Sequence, residues 1–417
     1  MIWEAARRFK RFLQRQERNF HVLLVRGGLS SFQQGLVQNY TSIYTVELGA
    51  NPVQLGALRG VGSLVNAFLS APLGWLADRY SLKRVLLLGL VLEALVPLGY
   101  ALAQSWQALV IPVIFYQMTM VTSWTFERVM VANALRDMDR ATGFGVFATI
   151  SQVPLIVAPA LAGLIVTWLG GISAESIRPL FMMSFGISIL SIIWACWQLS
   201  EVKVRPELGL VDGGFLEGFR RILAGGGEMR RWLLIELLGS FEFGSTMPFI
   251  MVYATEVRGA DAMTIGLMGS AMTVASILSS IPIGRLADKI GRKRVIFLVR
   301  PTLYISYLLL LWAPTPEILI LAYAVFGVFW GCTNVWMAMR MEMVPIHQRG
   351  RWSGVINTLR SIIRVPAPIL GGLLWERLHP STPFLLHILL DAGLRMPLLF
   401  TVPETLALSA ESTVGRD

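Results

Sequence analysis

Along this chain apolar residues come in long runs broken by short polar connections. Each run is long enough to cross a bilayer, for which about 20 apolar residues suffice as a helix. The runs do not alternate apolar with polar, so they read as helices and not as strands of a barrel. In lipid a helix satisfies its backbone polar groups within one segment. The pattern predicts twelve spans, at 22–46, 53–77, 83–103, 107–135, 143–169, 179–199, 232–256, 263–287, 293–312, 316–341, 353–376 and 383–403. The one long connection lies between the sixth and seventh. There Phe215, Phe219 and Leu223 recur at helical spacing before Gly225-Gly226-Gly227, which predicts a short surface helix ended by glycines. The expected organisation is a cytoplasmic amphipathic segment 1–21, a six-helix bundle 22–199, a linker 200–231, a second six-helix bundle 232–404 and a cytoplasmic tail 405–417.

Composition agrees. Of 417 residues 54% are hydrophobic and 15% charged, with a mean hydropathy of +0.60. The net charge of +10 would suggest nucleic acid in a soluble protein. Here Lys and Arg cluster in alternate loops, so the excess reads as the positive-inside signature and no nucleic-acid partner is expected. The basic N-terminus, the 78–84 and 288–294 loops, the linker, and Arg136, Arg140, Arg349 and Arg351 fall on one side. That side is expected to be cytoplasmic, with both termini inside a plasma (prokaryotic inner) membrane. The N-terminal arginines precede a full-length span without a small-residue cleavage site, so no cleaved signal is expected. Cys196 and Cys332 have no metal-ligand or disulfide spacing. Neither a cofactor nor a metal is expected.

The chain repeats itself. Gly74-Trp75-Leu76-Ala77-Asp78-Arg79-Tyr80-Ser81-Leu82-Lys83-Arg84-Val85 recurs as Gly284-Arg285-Leu286-Ala287-Asp288-Lys289-Ile290-Gly291-Arg292-Lys293-Arg294-Val295, 210 positions later. Gly56 matches Gly266 at that shift. At a shift of 209, Arg140 matches Arg349, Pro159 matches Pro368 and Gly163 matches Gly372. Six spans separate the copies, so both halves share one orientation. Such parallel repeats place a substrate site between the halves near the membrane midplane.

The two hinges resemble the loop signature of the major facilitator superfamily, G-x-L-A-D-[RK]-x-G-[RK]-[RK]. The resemblance implies a secondary transporter with two six-helix bundles. It implies that Asp78 meets the start of span eleven and a base such as Arg140, and that Asp288 acts likewise against span five. Gly74, Arg79, Arg84, Gly284, Lys289, Arg292 and Arg349 complete this expected gate, with Gly74 and Gly284 read as sites of close helix approach. The first copy departs from the signature at Ser81 and Leu82.

Charges inside spans are costly and mark candidate function. Arg26, Arg59 and Arg300 lie toward span ends and are expected to snorkel. His387, Asp391 and Arg395 share a helix face and are expected to neutralise one another. Glu93 has no evident partner. By resemblance the cavity is lined mainly by spans one, four, seven and ten. Its expected residues are Gln34 and Gln38; Trp124, Glu127 and Arg128; Glu242; Asn334 and Trp336; and Arg360 and Arg364 of span eleven. Glu236 also lies in span seven. Low dielectric favours the protonated form of a carboxyl, so Glu242 is the candidate proton carrier. Arg360 and Arg364 would hold an anionic group or pair with Glu242 or Glu127. A purely structural ion network is the alternative for all of these.

Span five reads Ala158-Pro159-Ala160-Leu161-Ala162-Gly163, similar to the G-P-x-x-G-G segment of drug–proton antiporters with two glycines replaced by alanine. The resulting expectation is a monomeric secondary transporter of a small molecule, working by alternating access with protons as coupling ion, in the direction of efflux of an amphipathic drug or metabolite. The alternative is proton-coupled uptake of a sugar or organic anion. No G-x-x-x-x-G-K-[ST] motif is present, so ATP hydrolysis is not expected. The four histidines are scattered and no G-x-S-x-G occurs, so no catalytic residues are expected.

Overall fold

The computed structural model describes residues 12, 14–79, 82–135, 140–200, 227–344 and 349–406, with side chains described except at 69–79, 82, 121–126, 128, 140–141 and 349–351. All regular structure among these residues is helical. The helices form twelve spans. In the first half they are Arg18–Val37 continued by Thr41–Glu47, Pro52–Arg79, Leu82–Leu102, Trp106–Leu109 continued by Val110–Asn133, Arg140–Gln152 continued by Pro154–Trp168, and Ala174–Gln198. In the second half they are Gly227–Val257, Ala262–Ile290, Arg292–Trp312, Pro316–Gly331 continued by Thr333–Glu342, Arg349–Ile363 continued by Pro366–Arg377, and Thr382–Phe400.

Three of the expected domain boundaries shift. Span one starts at Arg18, inside the expected interfacial segment, and span seven at Gly227, inside the expected linker. Thr405, expected to open a free tail, is fully buried and its hydroxyl donates to Glu342 at 2.6 Å. The start of the N-terminal segment, the short helix expected before Gly225 and most of the tail lie outside the described residues. Spans five and eleven break just before Pro154 and Pro366, each of which lacks the N–H that would continue the helical ladder.

The halves meet along two seams, span two against span eleven and span five against span eight. The repeated small residues are what lies there. A Cβ on Gly163 would stand 2.8 Å from the carbonyl oxygen of Ala262, and one on Gly372 2.7 Å from Cα of Val53. Gly56 and Gly266 face the carbonyls of Pro368 and Pro159 as closely. Only a missing side chain lets backbones approach this near. The pairs Gly56/Gly266, Pro159/Pro368 and Gly163/Gly372 read from the sequence are thus the two seams, built once and copied.

The core is not symmetric along the membrane normal. At the end far from the hinges, one continuous apolar cluster joins both halves, with Tyr40, Tyr44 and Phe181 of the first and Phe249, Tyr253 and Phe384 of the second. The Tyr40 hydroxyl crosses the seam to donate to Ala262 O at 2.7 Å, and Glu376 accepts from Val53 N at 3.1 Å. Toward the hinge end the described core splits in two. One cluster, around Phe20, Leu86 and Val131, belongs to the first half; the other, around Trp232, Val295 and Ile356, belongs to the second. The far end is sealed by a shared core, and toward the hinges the described cores of the two halves are separate.

Candidate functional site

Where the halves part, a cavity of about 600 Å³ lies between them. The first half supplies Arg59, Ser63, Tyr116 and Gln117. The second supplies most of the wall, from Glu236 to Pro248 on span seven, Phe329 to Arg340 on span ten and Arg360 to Pro368 on span eleven. A smaller recess of about 200 Å³ continues from Arg59, Tyr116 and Gln117 into the first half, reaching Gln34, Gln38 and Glu93. Volumes of this order suit a drug-sized ligand.

Two ion clusters stiffen the second half. Glu236, 2% exposed, accepts from Arg340 Nε at 2.9 Å and Nη2 at 2.8 Å, from Trp336 Nε1 at 2.9 Å, and lies 3.6 Å from Arg360 Nη1. Such a carboxylate is compensated on both oxygens, which a charge held in low dielectric requires. Deeper, Asp391 accepts from Arg300 Nε at 2.5 Å and from Tyr304 at 2.5 Å, with a second bond from Arg300 Nη2. Arg395 then joins Asp391 at 3.4 Å to Glu242 at 3.2 Å and donates to Ile235 O at 3.0 Å. Asp391–Arg395 is a π-turn, which rotates successive side chains relative to an α-helix; Asp391 meets span nine and Arg395 span seven. Glu242 itself is fully buried behind the cavity wall; Oε2 meets Arg395, while Oε1 has no hydrogen-bond partner among the described residues.

Among the described residues of the first half there is one buried ion cluster. Arg26, 2% exposed, is clamped between Glu93 at 2.6 Å and Glu127 at 2.5 Å, and Ser30 donates to Glu93 at 2.8 Å. Several expectations are corrected here. Arg26 and Arg300 do not snorkel; they are buried and paired with carboxylates two or three spans away in the chain. Arg59 points inward to the cavity and donates to Ser42 at 3.1 Å. Glu93 has partners. The face of span twelve is not self-contained, since Arg300 and Glu242 complete it and His387 Nδ1 lies 3.1 Å from Thr246 Oγ1. Arg360 pairs with Glu236 and donates to Ser240 at 2.9 Å, rather than pairing with Glu242 or Glu127. Arg364 lines the cavity with no hydrogen-bond or ion-pair partner among the described residues.

Of the other expected cavity residues, Gln34 and Gln38 line the recess and Trp336 the main cavity. Asn334 is exposed and outside both linings. The side chains of Trp124 and Arg128 lie outside the described residues. Sequence reasoning left out Arg340. Its signal was present, since Arg340 follows Trp336 by one helical turn and so shares its face.

At the second hinge, Asp288 pairs with Arg292 of its own loop, and Arg292 also reaches Glu342 at 3.2 Å. Lys289 is exposed, and a Cβ on Gly284 would meet nothing within 4 Å among the described residues, which show no close helix approach there. Gly291 adopts φ +108°, open to glycine but strained for other residues. This turn presents the start of span nine to Glu404, whose carboxylate accepts from the backbone N–H of Arg292 at 2.8 Å and Lys293 at 3.1 Å. That is a helix N-terminal cap supplied from more than a hundred residues away, and the sequence reading missed it. At the first hinge Arg84 is exposed and Lys83 donates to Leu199 O at 2.6 Å. The side chains of Gly74, Asp78, Arg79, Arg140 and Arg349 lie outside the described residues.

This geometry matches what comparison with known proteins finds. The profile of the Major Facilitator Superfamily matches residues 24–368 and again 232–406. The chain belongs to the Major Facilitator Superfamily. It is a multi-pass membrane transporter of twelve helices in two six-helix bundles. Multidrug resistance protein MdtG of Enterobacter lignolyticus is 26% identical over 311 residues, covering 71% of this chain and 70% of that protein. Tetracycline resistance protein, class B, of Escherichia coli is 23% identical over 175 residues, covering 42% and 43%. Among solved structures, the nucleoside transporter NupG superposes with a TM-score of 0.72 at 15% identity, covering 92% of this chain and 98% of that one. At that identity the likeness to NupG is one of fold.

Proposed function

We propose that this superfamily member is a proton-coupled exporter of amphipathic small molecules, working by alternating access with its hinge end in the cytoplasm. The observation that carries this reading is the cavity on the seam, sealed at the far end by a core shared between the halves and flanked toward the hinges by two separate cores. With the basic loops inside, that is a conformation loaded from the cytoplasm. Efflux is favoured by the likeness to MdtG and the class B tetracycline resistance protein, and by the Pro-bearing small-residue segments of spans five and eleven that form the seams. Rocking about the seams would part the far cluster and bring the hinge ends together. Asp288 would then exchange Arg292 for the opposite half, and Asp78 would meet the start of span eleven.

Glu242 is assigned the coupling proton. Its Oε2 holds Arg395, which also bonds Asp391 and lines the cavity. Protonation at Glu242 would release Arg395 and so change the cavity wall. The test is tetracycline-driven proton release from proteoliposomes carrying a pH-sensitive dye. Wild type should show flux that follows the imposed pH gradient, and Glu242→Gln should bind substrate without it. Gradient-driven flux undiminished in Glu242→Gln would remove the residue from the mechanism; uptake favoured over efflux in vesicles of both orientations would reverse the direction.

A further inference from the structure

Among the described residues, the charges around the main cavity do not cancel. Five guanidinium groups of the second half, Arg300, Arg340, Arg360, Arg364 and Arg395, stand against three carboxylates, Glu236, Glu242 and Asp391. Of these carboxylates only Glu236 lines the cavity among the described residues, and both its oxygens are already engaged. Two positive charges are left over, and the pairing shows where they sit. Arg360 donates to the neutral Ser240 hydroxyl and reaches an already occupied carboxylate only at 3.6 Å, and Arg364, one helical turn on, has no acceptor among the described residues. Arg59 faces them from the first half, holding only a hydroxyl. An uncompensated guanidinium inside a membrane protein is costly. Beside this cationic edge the wall is aromatic. Trp330 and Phe243 lie 6.3 Å apart, and the Trp330 Nε1–H has no acceptor among the described residues.

We infer that the transported molecule is an organic anion, an aromatic or amphipathic body bearing a carboxylate. Its head sits between Arg364 and Arg360, and its body against Trp330 and Phe243. Binding supplies the counter-charge that the protein leaves out, and guanidinium groups suit a carboxylate because they present two parallel N–H donors. This rests on the reading of the cavity as the transport site.

The test uses full-length protein in nanodiscs and three matched probes: 1-naphthylacetate, its neutral amide 1-naphthylacetamide and the cation 1-naphthylmethylammonium. Calorimetry should show the carboxylate binding at least roughly tenfold tighter than either of the others, weakening as salt is raised. Arg364→Gln loses no partner among the described residues and should fold. It should weaken the carboxylate by roughly tenfold while leaving the amide unchanged. Equal affinity for carboxylate and amide, no detectable carboxylate binding, or an unchanged preference in Arg364→Gln would each overturn the inference. Sodium sulfate competing as strongly as naphthylacetate would remove the aromatic half of it. Binding with this signature but no flux in proteoliposomes would sink the transport reading and leave the anion site standing. Flux of a cationic probe without anion binding would do the reverse.

Discussion

Removing the Glu236 carboxylate tests how the second half tolerates its arginines. Glu236→Ala deletes the acceptor of two bonds from Arg340 and one from Trp336, and leaves Arg340, 7% exposed, without a counter-charge. Breaking a buried pair from one side costs about 3–5 kcal/mol. The cavity admits water to one side of this cluster, so the lower value applies, about 3 kcal/mol. For a bundle of this size that corresponds to a fall in apparent Tm on the order of 6–12 °C. The chain offers its own probe, since Cys332 is buried while Cys196 is exposed. In a Cys196→Ala background, a thiol-reactive dye reports Cys332 becoming accessible on heating. The double variant Glu236→Leu with Arg340→Met removes both charges and should recover most of the loss, because a buried pair is replaced by apolar packing at little net cost. A single variant that melts within a degree of wild type, or a double variant no more stable than the single, would refute the reasoning.

Three further outcomes follow from particular contacts. Gly372→Ile drives a side chain into the backbone at Pro52 and Val53; it should open the far-end seal, read as increased labelling of a cysteine placed at Val53. Glu404→Ala removes the remote cap of span nine at about 1 kcal/mol, and hydrogen exchange should quicken at the amides of Arg292 and Lys293 with substrate affinity unchanged. Asp288→Asn breaks a pair whose acid is 67% exposed. It should alter stability by less than about 0.5 kcal/mol yet shift the balance of inward and outward accessibility, measured by paired-site labelling; a large stability loss with no shift would deny the gate.

Much of the architecture was legible because membrane folding is constrained by one dominant rule. Any apolar run long enough to cross must be a helix, so the twelve spans could be read from composition alone, to within a few residues at their ends. The repeat was legible because backbone approach requires glycine at fixed positions, and Gly56, Gly163, Gly266 and Gly372 carry that requirement in the one-dimensional text. Partnership was not legible. Arg26 and Glu93 are 67 residues apart, Arg300 and Asp391 are 91, and Arg292 N and Glu404 are 112. No local spacing encodes such pairs, so Glu93 looked partnerless and Arg26, Arg59 and Arg300 looked like snorkelling side chains.

The sequence by itself therefore determined helix number, the internal duplication and the candidate hinges, since these depend on length, hydropathy and local backbone geometry. Only the tertiary structure decided which charges cancel. It placed Glu242 behind the cavity wall on Arg395, made Glu236 the acceptor for Arg340 and Trp336, and left Arg364 facing the cavity without a partner among the described residues. The physical reason is that an ion pair depends on distance in space, and in a bundle of twelve helices spatial neighbours are mostly strangers in sequence.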